Sequence, residues 1–266
     1  MDLSQIVGNS FEYAKKLFSD LGRLAILIVL DIIPIVNLIV LGYMTRVVKE
    51  TPISLEPPPL REYGDMFIQG LKVAIAAFLY MLVPLILIIL GVGSFIFGAV
   101  GMGMFFPAFG AIGVGLLVVG AILAFAIAII MAMAIVHMVK NNSFGKAFAV
   151  GEILGIIGKI GWGKYILWLI VMFIIAVIVG AVGSIPLIGW LISLIISPIF
   201  GVFIARSAGL IYSGAVPPVG IPPPPAPPAY APPPPAVGAP TVKFCVHCGA
   251  QIAAEAVFCP KCGGRQ

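Results

Sequence analysis

The 266-residue chain has a net charge of +5, yet only 9% of its residues are charged and 61% are hydrophobic. Soluble domains average about 25% charged residues, so the composition excludes an ordinary water-soluble globule. The basic residues are scattered between apolar runs, a pattern that fits the positive-inside rule and argues against nucleic-acid binding by this part of the chain.

Residues 3–21 carry Ile6, Val7, Phe11, Ala14, Phe18 and Leu21 at helical spacing, with Glu12, Lys15 and Lys16 mostly on the other side. This predicts an amphipathic helix over a segment 1–23. It either packs on the protein's own membrane domain or lies in the lipid interface. The first apolar run begins near Leu24 and no small-residue cleavage site follows it, so it reads as an uncleaved signal anchor.

That run, Leu24 to Leu41, holds Asp31, Pro34 and Asn37 near its middle. Pro34 breaks the backbone ladder, and Asp31 and Asn37 are placed to bond the groups it frees. Two models fit: one kinked span, or a re-entrant hairpin whose turn is covered by protein. Thr51 to Pro59 is a loop by its proline content, and a short helix from about Leu60 to Gly70 leads onward.

Val73 to Val139 is 67 residues without Asp, Glu, Lys or Arg. A charge at the bilayer centre costs about 3 kcal/mol or more, and a span needs about 20 apolar residues. The run therefore holds two spans, near 71–97 and 116–139, unless it is divided into three short helices. The first span is interrupted by Pro84, and Gly98 to Gly115 reads as an uncharged turn on the far side. Asn141 to Lys164 is polar and Lys-rich, which places it in the cytoplasm. Ser143 is positioned to cap a short helix with Phe144, Ala147, Phe148 and Leu154 on its apolar face. Two further spans, about 165–183 and 187–211, flank an uncharged turn, with Gly180, Gly183 and Gly201 permitting close helix approach. The fold class is thus an all-α polytopic membrane protein. It has about four transmembrane helices within 24–212, a kinked or re-entrant first segment, and both termini on the cytoplasmic side of the cell membrane.

Of the 25 residues from Val216 to Pro240, 13 are Pro. Such a chain builds no core and adopts polyproline II, reaching about 75 Å when extended. The segment 213–242 reads as a stiff spacer, with a docking site for a proline-recognising domain around Tyr230 as the alternative.

All four cysteines lie in the last 22 residues, in two Cys-x-x-Cys-Gly knuckles: Cys245 with Cys248, and Cys259 with Cys262. Each knuckle aims two thiolates at one point, and four complete a tetrahedron around Zn²⁺ with bonds of about 2.3 Å. A redox dithiol has one such motif beside a strand–helix unit, disulfides do not suit a cytoplasmic tail, and iron–sulfur sites use other spacings. The site is closed, which makes the Zn²⁺ structural, and in so small a unit metal binding supplies the folding energy. Phe244 and Phe258 are the expected miniature core of this domain, 243–266, and His247 an exposed bystander.

Cys245-Val-His-Cys248-Gly-Ala-Gln-Ile with Phe258-Cys259-Pro-Lys-Cys262-Gly resembles the zinc-ribbon tails of many prokaryotic membrane proteins. In the body, Phe11-Glu-Tyr-Ala-Lys, Ile33-Pro34, Leu41-Gly42-Tyr43-Met-Thr-Arg46-Val, Gly70-Leu71-Lys72 and Ser143-Phe144-Gly145-Lys-Ala147-Phe148 resemble the multi-pass prokaryotic family called domain of unknown function 4013, over about residues 5–212. The resemblance implies a membrane protein without an assigned activity and supplies no catalytic residues. The apolar segments hold Asp31, Asn37, Tyr80 and His137, too scattered for an enzyme site. The expectation is a non-catalytic anchor or scaffold in the bilayer whose ribbon contacts a protein partner. Lys243, Lys261 and Arg265 against Glu255 give the tail only a weak basic bias toward nucleic acid. The alternative is a small-solute or ion transporter using Asp31.

Overall fold

A computed structural model describes residues 1–98, 107–186, 188–217 and 242–266. It divides into two units, Met1–Pro218 and Val219–Gln266. The first is helical: α1 Leu3–Lys15, α2 Leu21–Ile32, α3 Asn37–Glu50, α4 Tyr63–Ile96, α5 Pro107–Lys140, α6 Val150–Ile160, α7 Trp162–Gly183 and α8 Gly189–Ala215. Among the described residues, four helices are long and apolar enough to cross a membrane: α4, α5 from Phe109, α7 and α8. Among the described residues, the long uncharged run therefore holds two helices, α4 and α5. Helix α4 continues unbroken through a buried Pro84 and begins at Tyr63, so the separate helix expected before it merges into the span. A membrane helix tolerates such a proline because its neighbours satisfy the freed backbone groups. Residues 107–115, read from sequence as part of a turn, form the first turns of α5, with Pro107 at its first position. The rest of that turn lies outside the described residues, as does most of the proline-rich segment.

Residues 16–19 continue α1 as a short 3₁₀ turn, and Asp20 caps α2 by accepting the Arg23 backbone N–H. Only part of the apolar face predicted for α1 packs against the body, and the exposed remainder suits the lipid-interface reading. Ile6, Ser10, Tyr13, Ala14 and Leu17 are buried, while Phe11, Phe18 and Leu21 stay exposed. Tyr13 goes inward because its ring covers a buried arginine of α8, described below.

Helices α2 and α3 form a hairpin. At 12 and 14 residues they are about 18 and 21 Å long, each short of a 30 Å hydrocarbon core. Both ends of the hairpin meet the same loop: Arg23 donates to the Pro57 carbonyl and Tyr43 to the Pro58 carbonyl. Of the two models open from sequence, this geometry is the hairpin. Its turn places Ile35 at φ +70°, an uncommon region for a β-branched residue.

Close backbone approach fixes α3 on α4. A Cβ on Gly42 would stand 1.7 Å from the Met66 carbonyl oxygen, and one on Gly70 1.8 Å from that of Leu38. Sequence reading named other glycines. Of these, Gly183 and Gly201 meet side chains of Ser193 and Met44, and Gly180 has open space around it. Between α5 and α7, a 3₁₀ turn Phe144–Phe148 and α6 replace the single short helix expected there. Ser143 makes no capping bond, and the buried face of α6 is Ile153, Ile156 and Ile157, with Leu154 outside it.

The second unit pairs β1 Val242–Phe244 antiparallel with β2 Gln251–Ala253, Val242 opposite Ala253 and Phe244 opposite Gln251.

Candidate metal centre and buried polar sites

In the ribbon, β1 leads into Cys245, whose N–H donates to the Ala250 carbonyl at 2.8 Å and closes the first knuckle. The glycine after each knuckle's second cysteine has positive φ, +68° at Gly249 and +71° at Gly263. Their N–H groups donate back to the carbonyls of Cys245 and Cys259. A side chain at either position would strain this backbone. The turns gather Cys245, Cys248, Cys259 and Cys262 with all four ligand atoms within 4.8 Å of one another. The Sγ atoms of Cys245 and Cys262 are 3.6 Å apart and those of Cys248 and Cys259 3.7 Å. A tetrahedral ion with 2.3 Å bonds holds its sulfurs about 3.8 Å apart, whereas a disulfide requires about 2.05 Å. The donor set and its spacing therefore fit Zn²⁺.

The electrostatics point the same way. Burial raises the Cys245 thiol, but the N–H groups of His247 and Cys248 outweigh it and bring the pKa down to about 6. The Lys261 N–H lowers Cys259 as well. The Gly264 N–H lowers Cys262, yet the thiols of Cys248 and Cys245 outweigh it and push the pKa up to about 12. Thiolates this close repel one another, and a central cation is what allows all four to ionise.

The ribbon's core differs from the expected one. Cys245, Ile252 and Cys259 are buried, with Ala250 and Ala256 against them, while Phe244 and Phe258 are 66% and 61% exposed. Phe244 flanks Lys243 on a two-stranded ribbon whose inward position is taken by Ile252, so its ring faces outward, and Phe258 lies outside that ribbon, bridged to Arg265. His247 is exposed and outside the sulfur cluster.

The helical unit has polar sites that sequence reading did not assemble. The loop 51–62 is a strap whose carbonyls accept side-chain donors from several helices. Tyr13 donates to Glu56, Lys16 to Leu55, Arg23 to Pro57, Tyr43 to Pro58 and Arg46 to Arg61. Lys140 donates to the carbonyls of Lys49 and Thr51. Proline has no N–H and a strap forms no ladder, so its carbonyls must find partners elsewhere. Beneath it lies Arg206, 2% exposed. Its Nε donates to Asn9 Oδ1 at 3.0 Å and its Nη1 to the Ser54 carbonyl at 2.8 Å and Thr51 Oγ1 at 3.3 Å, while its guanidinium sits 4.4 Å from the Tyr13 ring centre. Burial pushes the Tyr13 phenol up despite that neighbouring cation.

His137, also buried, links three helices. Its Nδ1 is 2.9 Å from Tyr212 Oη on α8, and its Nε2 is 3.0 Å from Glu152 Oε2 on α6, which Lys146 also holds. Tyr80 donates to the Ala147 carbonyl and stacks on Phe148. Asp31 lies on α2, eight residues beyond Arg23, and its Oδ2 accepts from Ser197 Oγ of α8 at 2.7 Å. Asp31, Asn37 and Ser197 line one cavity of about 290 Å³. The sequence offered no signal for Ser197, which stands 166 positions from its partner.

A model of the family described as protein of unknown function (DUF4013) matches residues 26–188, and a zinc-ribbon domain model matches 244–265. No curated protein and no solved structure matches the chain. The family match covers more than half of the sequence and takes in the hairpin from residue 26, the strap and α4 to α7, so this chain is a multi-pass membrane protein of the DUF4013 family with a metal-binding zinc ribbon at its end.

Proposed function

We propose that the protein is a non-catalytic membrane anchor or scaffold whose cytoplasmic ribbon, folded around Zn²⁺, contacts a protein partner. The observation that carries this reading is the ribbon's surface. A closed set of four sulfurs leaves no coordination position for chemistry. Around it, Phe244, Phe258 and Val257 stand exposed, and Val246 is 80% exposed. Exposed aromatic and aliphatic side chains on so small a unit are candidates for a contact surface. The orientation rests on charge. The α5–α6 connection, α6 and the polar ends of α7 and α8 carry Lys146, Lys159, Lys164 and Arg206, while the turn 184–186 carries no charge. Under the positive-inside rule this pattern supports a cytoplasmic position for both termini.

The test uses the full chain in its native membrane, crosslinked and analysed for recovered proteins. Three forms are compared: wild type, Cys245→Ser/Cys248→Ser, and Phe244→Ser/Phe258→Ser, which keeps all four ligands. One partner lost in both variants supports the reading. An identical set from all three overturns it.

A second reading, ion or small-solute transport, is favoured by one observation: the Asp31–Ser197 hydrogen bond at the rim of a cavity between the hairpin and α8. Flux into liposomes that Asp31→Asn abolishes supports it.

A further inference from the structure

We infer that Asp31, Asn37 and Ser197 form a binding site for a monovalent inorganic cation. This deepens the transport reading, since it concerns the same residues, but binding can be tested without flux.

Depth comes first. Asp31 lies eight helical residues from Arg23, which is bonded to the strap, and Ser197 lies nine from Arg206, which is also bonded to the strap. At 1.5 Å per residue these are about 12 and 14 Å. Two independent helices thus bring the site to about half the thickness of a 30 Å hydrocarbon core. A carboxylate there costs about 3 kcal/mol unless it is balanced. Among the described residues, no Lys, Arg or His lines the cavity, and the side-chain partner of Asp31 is a neutral hydroxyl. A cation bound beside Asp31 would supply the balancing charge.

The donor set indicates the kind of cation. Asp31 offers a carboxylate, Asn37 an amide carbonyl and Ser197 a hydroxyl. These are hard oxygen ligands, suited to hard ions and not to soft transition metals. A single carboxylate neutralises a single positive charge. A divalent ion would leave net charge at mid-depth, so the site selects a monovalent one. The volume of about 290 Å³ exceeds any bare ion and equals about ten waters at 30 Å³ each. The ion therefore keeps part of its hydration shell and gains the three protein oxygens. Leu41 and Met44 form apolar walls that leave those oxygens as the polar contacts.

The backbone is broken on one side of the cavity, and on the other a proline lies within an unbroken helix. The α2–α3 turn with Pro34 stands on one side, and Pro198, inside α8 and next to Ser197, on the other. A helix interrupted at mid-depth, like α2 at its turn into α3, is one way membrane proteins expose oxygens to small ions. Asp31 is half-buried, and Asn37 and Ser197 are exposed, so the chain itself does not seal the cavity.

The experiment is radiolabelled Na⁺ binding to the purified full-length protein in detergent at pH 8, with Li⁺, K⁺, Ca²⁺ and protons as competitors. The expected result is one saturable site per chain, displaced by excess unlabelled Na⁺ and by acid. Asp31→Asn should abolish it, and Ser197→Ala should weaken it about tenfold, as loss of a hydrogen bond to a charged group does. No saturable binding of Na⁺, Li⁺ or K⁺ overturns the inference. So does binding unchanged in Asp31→Asn, or displacement by Ca²⁺ in preference to every monovalent ion. If Asp31→Asn fails to fold, Ser197→Ala and Asn37→Ala decide, and unchanged affinity in both overturns the site. Binding without flux leaves the site standing and overturns only transport.

Discussion

The helical body and the ribbon hold their shapes by opposite means. The body's core runs through all eight helices, from Ile6 on α1 to Tyr212 on α8. The ribbon buries Cys245, Ile252 and Cys259, and two of these three are metal ligands. Full burial of one aliphatic side chain contributes about 1.5–3 kcal/mol, far less than the ordering of some 25 residues costs at about 1 kcal/mol each or more. The ribbon's fold is thus conditional on its metal, whereas the body has an apolar core of its own. The comparison teaches that two units of one chain can fail independently, under different insults.

The largest effect should follow loss of the metal. Structural zinc supplies about 10–16 kcal/mol of apparent folding free energy to units of this kind. Chelation, or Cys245→Ser with Cys248→Ser, should unfold the tail, read as rapid proteolysis after Lys243 and Lys261. The body's thermal midpoint should stay unchanged. A shift of that midpoint would break the comparison.

The converse is a lesion confined to the body. In Gly70→Leu or Gly42→Leu the new Cβ meets backbone carbonyls at 1.8 and 1.7 Å, which no rotamer change relieves. Overpacking of this kind costs about 3 kcal/mol or more. The variants should lose a monodisperse elution profile in detergent while still carrying one metal ion per chain. A smaller effect is expected from Arg206→Met, which keeps the apolar stem but leaves Asn9 and the Ser54 carbonyl without their donor. Losing these bonds costs about 2–3 kcal/mol. It should lower the thermal midpoint and expose the strap 51–62 to protease.

How much of this was legible differed between the units for a physical reason. In the ribbon, chemistry fixes spacing: Cys-x-x-Cys-Gly states both the ligands and the positive φ of Gly249 and Gly263. What it leaves open is packing, so Phe244 and Phe258 were placed inside although a unit this small has no inside large enough for them. In the body, the absence of charge from Val73 to Val139 located α4 and α5. It could not say which faces point inward, because lipid and protein interior are equally apolar and the hydrophobic pattern carries no phase. The informative signals were small residues and carbonyl-rich loops. Gly42 and Gly70 fix a helix crossing, and the prolines of the strap create the acceptors that Arg23, Tyr43 and, at Ser54, Arg206 answer. The Asp31–Ser197 contact joins helices distant in sequence, and no local pattern encodes it.

The smallest effect sharpens the comparison through pH. The Lys146 ammonium, and after it His137, holds the Glu152 carboxyl below its ordinary value of 4.5. The folded body therefore binds this proton less readily than the unfolded chain does, and stability rises with pH across that window. The contribution of Glu152 is fully present above the unfolded pKa of about 4.5 and is lost as pH falls through the lower folded value. Glu152→Gln should be less stable than wild type at pH 7 and converge with it at the acid end, as measured by thermal midpoints at stepped pH. Because Glu152 is a solvent-facing carboxylate, the loss should be shallow and should weaken in high salt. The ribbon should respond to acid in another way. Its thiols bind metal only when deprotonated, so protons compete with the ion, and the transition should move with free zinc concentration. An acid transition of the body that also moved with zinc would mean that the two units are coupled. One that ignores zinc while Glu152→Gln flattens it assigns the body's acid response to the α6 ion pair alone.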